Sequence, residues 1–118
     1  MKIISVRNAT RGSLIGDRIE LADTAATRRK GLLSRNRLAP GEGLWITPCP
    51  AVHSFFMRFA LDLVYVDRRR RVRKIVQNFV PWRMSACFGA HSVLELPAGT
   101  LTRIPAAVGD QLEIELLR

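Results

Sequence analysis

Short β-like runs, each closed by a turn bearing glycine, proline or aspartate, recur from one end of this 118-residue chain to the other. A chain cut up in this way has no room for long helices, and its apolar side chains must be buried between strands. Residues 3–6 form the first such run. Arg11-Gly12-Ser13 and Gly16-Asp17 are turn signals, and residues 18–22 alternate charged and apolar, as a half-buried strand does. Leu44-Trp45-Ile46 reads as a buried strand, interrupted by Pro48 and Pro50, neither of which can donate to a ladder. Residues 55–67 are strongly β-like, with residues 71–76 as their hairpin partner. Residues 92–96 make another strand, closed by Pro97-Ala98-Gly99. Val108-Gly109-Asp110 is a turn before the last strand, residues 111–117, which alternates clearly.

One segment breaks the β pattern. Asp23 or Thr24 offers a short side-chain oxygen as a helix N-cap, and residues 25–33 are mostly helix-compatible, although Gly31 weakens the interior. Leu32 and Leu33 are the expected buried anchors, and Ala39-Pro40-Gly41-Glu42-Gly43 ends the segment as a loop. The fold expected is mainly β (α+β): a compact small β-barrel or half-barrel with one short N-terminal helix, in a single domain over residues 1–118. That length supports one hydrophobic core without staples.

No apolar run approaches the roughly 20 residues that cross a bilayer, and the N-terminal residues lack the long apolar centre of a secretory signal. A soluble, cytoplasmic protein is expected. Cys49 and Cys87 are too few for a disulfide framework and are expected as thiols. The net charge is +9, unevenly spread: from Ser92 onward four acids and two bases give −2, so the rest carries +11. Much of that lies in Arg28-Arg29-Lys30 and in Arg68-Arg69-Arg70-Arg71-Val72-Arg73-Lys74. Such a field favours polyanions, anionic surfaces or an acidic partner.

Chemistry concentrates in the middle of the chain, where residues 48–62 gather a thiol, an imidazole, a thioether, a guanidinium and a carboxylate within an apolar run. His53, Met57, Arg58 and Asp62, with Trp82, Arg83 and Glu95, are the residues expected to line a ligand groove. Arg58 is suited to pair with Asp62 or Glu95, or to clamp an anion, and Trp82-Arg83 sets an aromatic face beside a guanidinium. A thiol enzyme is the alternative, with Cys49 as nucleophile, His53 as base and Asp62 as orienter. No reaction signature surrounds Cys49. Cys49, His53 and Met57, four residues apart, would suit a soft metal, but Pro48 and Pro50 break the regular geometry that the spacing needs. No metal or other cofactor is expected. The basic run Arg68, Arg69, Arg70, Arg71, Arg73 and Lys74 reads either as a solvated hairpin tip or as a sequence-independent nucleic-acid contact. It contains no stacking aromatic, which dedicated single-strand binders display. Neither Gly41-x-Gly43 nor residues 12–16 end in the Gly-Lys-Ser/Thr of a phosphate loop.

Three segments together resemble the domain-of-unknown-function 192 family, also called UPF0127. Thr27-Arg28-Arg29-Lys30-Gly31-Leu32-Leu33-Ser34-Arg35, with the later Gly43-Leu44-Trp45, is similar to its early Arg-x-x-Gly-Leu element. Residues 53–67 are similar to its aromatic-Met-basic segment leading into an aspartate-bearing strand. Val93-Leu94-Glu95-Leu96-Pro97-Ala98-Gly99, followed by Gly109-Asp110, is the most specific match. The resemblance implies a compact β-rich domain with a short helix and brings no activity, cofactor or catalytic residue. Two positions depart from the pattern: Ala60 where relatives often carry proline, and Asp67-Arg68-Arg69-Arg70-Arg71 where they often turn with Asp-Gly. The functional expectation is a non-catalytic binding or accessory module for an acidic protein segment or a small anionic ligand.

Overall fold

A computed structural model describes residues 1–33 and 35–118; Ser34, part of the first family-like segment, lies outside them. Seven strands form one curled sheet: β1 (Lys2–Asn8), β2 (Ser13–Ala22), β3 (Glu42–Ile46), β5 (Leu61–Val66), β6 (Val72–Phe79), β8 (Ser92–Pro97) and β9 (Leu112–Leu116). Their order is β6-β5-β8-β3-β2-β1-β9. Two short strands, β4 (Ala51–His53) and β7 (Met84–Ala86), pair with each other as a separate ribbon. The sheet's edges meet where Arg71 bridges Gln111, so the curl approaches closure at that end. The expected mainly β half-barrel is the fold observed.

Every pair in the large sheet is antiparallel except β2 with β3. A parallel pair needs a crossover, and the segment between β2 and β3 supplies it with helix α1 (Ala25–Lys30). Thr24 caps α1 through a reciprocal box with Thr27. The helix ends at Gly31, whose φ of 49° a side chain rarely adopts, so it is shorter than the expected residues 25–33. Leu32 is buried as expected, whereas Leu33 faces solvent.

The central strands β5 and β8 are buried along almost their whole length, because both faces of the sheet are covered. Inside the curl, Val64, Val66, Leu94 and Leu96 pack with Ile4, Val6, Ile19, Trp45 and Leu112. On the outer face, Leu61, Leu63, Tyr65 and Val93 pack with Leu32, Leu44, Met57 and Phe79. Period-two alternation sends successive side chains of β5 and β8 into these two cores in turn.

Several local expectations are corrected. Residues 55–67 are not one strand: β5 starts at Leu61, after a turn in which Ser54 is the anchor. Ser54 Oγ donates to the Val80 carbonyl at 2.7 Å and accepts from Arg83 N at 2.8 Å, while its own carbonyl accepts from Met57 N and Trp82 N. Gly16-Asp17 does not turn the chain but lies within β2, where the β1–β2 register shifts in a bulge. A second helix, the single turn α2 (Thr100–Arg103), was not expected. At the β5–β6 hairpin, Asp67 Oδ1 accepts from Arg69 N and Arg71 N, and Arg70 takes the left-handed conformation (φ 64°) that glycine fills in a typical Asp-Gly turn.

Candidate functional site

Glu95 stands on β8 directly between Leu44 of β3 and Leu63 of β5. Its side chain shares the outer face with Val93, in an apolar setting. It is 4 % exposed and forms no hydrogen bond or ion pair among the described residues. Burial without a partner disfavours the charged form and pushes its carboxyl up to about 7.

That carboxyl lines a cavity of about 270 Å³. One wall is the last turn of α1 with residues 28–33, and the other is residues 48–53 with Met57, Leu61 and Ile46. The β2–β3 crossover delivers Arg28, Arg29 and Lys30 to this rim. Arg28 is held there by the Asp23 and Thr47 carbonyls, which accept from its Nη1 at 3.3 and 3.5 Å. The opposite wall begins at the cis Thr47–Pro48 peptide and is tied down by Cys49 N donating to the His91 carbonyl at 2.8 Å.

The structure places three of the seven expected ligand-groove residues, His53, Met57 and Glu95, on this one cavity, together with Cys49. Met57 is buried in the outer core, and His53 is exposed at the mouth with its ring stacked on Phe55 at 5.0 Å. Cys49 Sγ donates to the Ala51 carbonyl at 2.9 Å. Burial raises the thiol above its usual range, and Glu95 adds to the effect while the Ala51 contact and Arg28 oppose it.

Four of the expected residues lie elsewhere. Asp62 sits on the inner face of β5, where Oδ1 accepts from Asn78 N at 3.0 Å and Oδ2 from Leu101 N at 2.9 Å. It caps α2, whose N-cap Gly99 has no side chain to do so, and it does not line the cavity. Arg58 is exposed and donates to Asn36 Oδ1, so it pairs with neither Asp62 nor Glu95. Trp82 and Arg83 flank the start of β7: Trp82 is 56 % exposed, stands edge-on to the 72 % exposed Phe56 at 4.7 Å and stacks on Phe55. Phe56 and Trp82 both hold positive φ, 67° and 68°. Phe56 and Trp82 thus put two exposed aromatic rings in contact next to Arg83 in the chain.

The basic hairpin is partly tethered. Arg71 Nη1 donates to the Gly109 carbonyl at 3.2 Å and Lys74 Nζ to the Ala86 carbonyl at 2.8 Å. Arg68, Arg69, Arg70 and Arg73 are exposed, and Arg68 and Arg69 border a shallow hollow with His91. Among the described residues, no three His, Cys, Asp or Glu side chains group as a metal site requires. Among the described residues no helix is long and apolar enough to cross a membrane. The cations that sequence reading left unassigned to the site are Arg28, Arg29 and Lys30. Their charge is plain in the sequence, but only the crossover brings them opposite residues 48–53.

These features define a β half-barrel with a cavity whose lining joins three cations of α1 to a buried carboxyl of β8. The chain belongs to the DUF192 family, described as Uncharacterized ACR, whose model matches residues 6–114. A UPF0127 protein of Thermococcus sibiricus is 29 % identical, covering 92 % of this chain and 73 % of that protein. A UPF0127 protein of Pyrococcus abyssi is 30 % identical over 81 % of this chain and 85 % of its own length. Among crystal structures, a proposed transcription regulator of Sinorhizobium meliloti superposes with a TM-score of 0.80 at 28 % identity, over 95 % of this chain and 92 % of the other. A protein of unknown function from Novosphingobium aromaticivorans gives 0.78 at 30 % identity, over 93 % and 82 %.

Proposed function

We propose that this protein is a non-catalytic binding module whose cavity takes a small anionic ligand. The observation that carries this reading is the presence of three consecutive cations, Arg28, Arg29 and Lys30, on the lining of one cavity of about 270 Å³. The size lies just below the roughly 300–1,000 Å³ typical of small-molecule sites. Arg28, Arg29 and Lys30 attract the ligand's anionic end, and Ile46, Met57 and Leu61 cover its body. The thiol-enzyme alternative draws little support: Cys49 is pushed toward its unreactive form, and Asp62 spends both oxygens on backbone N–H groups away from His53.

Calorimetric titration with short-chain carboxylates tests the proposal. Measurable affinity that falls at least ten-fold in Arg28→Ala supports it; affinity unchanged by that substitution contradicts it.

A second reading has its own observation. Phe56 and Trp82 hold an unfavourable backbone conformation that keeps two aromatic rings in contact at the surface, next to Arg83. Strain retained at an exposed apolar patch suits recognition, here of an acidic protein segment with an apolar anchor. The nucleic-acid reading rests on the hairpin arginines alone. The two helices, of six and four residues, are too short to serve as a groove-reading pair. The regulator name belongs to the Sinorhizobium meliloti protein. A small-molecule sensor would be compatible with it.

A further inference from the structure

We infer that the cavity's ligand is a zwitterion of the amino-acid class, its carboxylate held at the rim by Arg28, Arg29 and Lys30 and its protonated amine paired with Glu95 at the floor. This inference rests on the anion-binding reading above and adds the second half of the ligand.

Glu95 carries the argument. A carboxyl buried to this extent ordinarily has hydrogen-bond partners, and here none exists among the described residues although Glu95 opens onto the cavity. The arginines and lysine of the lining belong to α1, and among the described residues none of them forms an ion pair with it. The strands on either side present only Leu44 and Leu63. A purely anionic ligand would leave that carboxyl unpartnered and, once ionised, would be repelled by it. A ligand carrying an N–H donor at the far end from its carboxylate satisfies it, and a protonated amine does so with opposite charge.

Burial sets the pH behaviour of Glu95, and the charged and titratable groups around it are few. They are Arg28, Arg29 and Lys30 from α1, Cys49 and His53 from the opposite wall, and Tyr65 from β5. The Tyr65 hydroxyl is buried beside Ser85, and neither oxygen completes a hydrogen bond of normal geometry. Amine binding requires the ionised carboxyl, whereas free Glu95 is half protonated near pH 7. Zwitterion affinity therefore rises as pH increases through about 7, with a proton released on binding below it.

Calorimetry on the full chain decides, with matched pairs as probes: ε-aminocaproate against caproate, γ-aminobutyrate against butyrate, and free L-leucine against isocaproate. The aminated member of at least one pair is expected to bind about 10- to 100-fold tighter than its partner, the range of a charge-assisted hydrogen bond. Glu95→Gln is expected to erase that gap by weakening the aminated member, while the simple acid, no longer repelled by an ionised carboxyl, binds somewhat tighter. Simple acids binding as tightly as their aminated partners, with no change in Glu95→Gln, overturn the zwitterion and leave the anion site standing. Failure of every probe to bind overturns both. If Glu95→Gln does not fold, the wild-type protein decides through the pair gap and its shrinkage below pH about 7. A gap that does not shrink overturns the inference.

Discussion

The Glu95 carbonyl lies so close to Gly43 that a Cβ on the glycine would approach it to 2.5 Å. β8 rests against β3 at this point because Gly43 has no side chain. Gly43→Ala forces the two strands apart and costs about 1–3 kcal/mol, the usual penalty for overpacking a core. Urea unfolding measures it. A variant as stable as the parent would show that the strands slide freely.

Asp62 is predicted to be a structural residue. Asp62→Ala leaves Leu101 N and Asn78 N without their acceptor and strips α2 of its cap. The loss is roughly 2–4 kcal/mol, read from chemical denaturation. Cys49 alkylation under native conditions stays unchanged, because Asp62 does not reach the cavity. A large change in Cys49 reactivity with little loss of stability would restore Asp62 to a catalytic role.

Two buried acids give stability opposite pH dependences. Burial raises Glu95 from 4.5 in the unfolded chain to about 7. The native state thus holds a proton that the unfolded state has lost, so this contribution is complete below pH 4.5 and disappears as pH rises to about 7. The span is on the order of 3 kcal/mol. Asp110 runs the other way: although desolvation opposes it, donation from Asn8, Arg11 and Ala107 lowers its pKa below 3.8. Its contribution is present above pH 3.8 and is lost as pH falls through the lower native value. Glu95→Gln should flatten the stability profile between pH 4.5 and 7, as followed by thermal melts across that range. A profile that keeps its slope would show that Glu95 is not the group responsible.

Arg70 occupies a conformation that costs a side chain about 1–2 kcal/mol. Arg70→Gly relieves it, and after the glycine's own entropy cost a gain of roughly 0.5–1 kcal/mol should appear in the melting temperature. No gain would mean that the arginine makes a compensating contact. The same variant, with Arg68 and Arg69 neutralised as well, leaves small-carboxylate binding intact if the hairpin is only a solvated tip.

Much of the architecture was legible in the sequence because strand alternation is a local signal. The Thr24 cap, the parting prolines and the alternating last strand each announced themselves within a few residues. Residues 55–60 misled because aromatic content mimics β propensity, while the turn there depends on Ser54 reaching segments 26 and 29 residues away. α2 was invisible because its cap comes from Asp62, 39 residues before it. Asp62 itself looked chemical because an acid in an apolar run is unusual, and nothing local reveals that backbone N–H groups use it. Glu95 and His53 were readable as candidates, but Glu95 shares a cavity with Arg28, Arg29 and Lys30 only through the crossover.

The most direct test of the binding cavity uses Cys49, which lines it, against Cys87, which does not. Iodoacetamide labelling of both thiols is followed by mass spectrometry, with and without saturating ε-aminocaproate. Cys49 is expected to react more slowly than free cysteine at neutral pH and to be slowed at least several-fold further by the ligand, with Cys87 unaffected. Equal Cys49 labelling in the presence and absence of the ligand would contradict it.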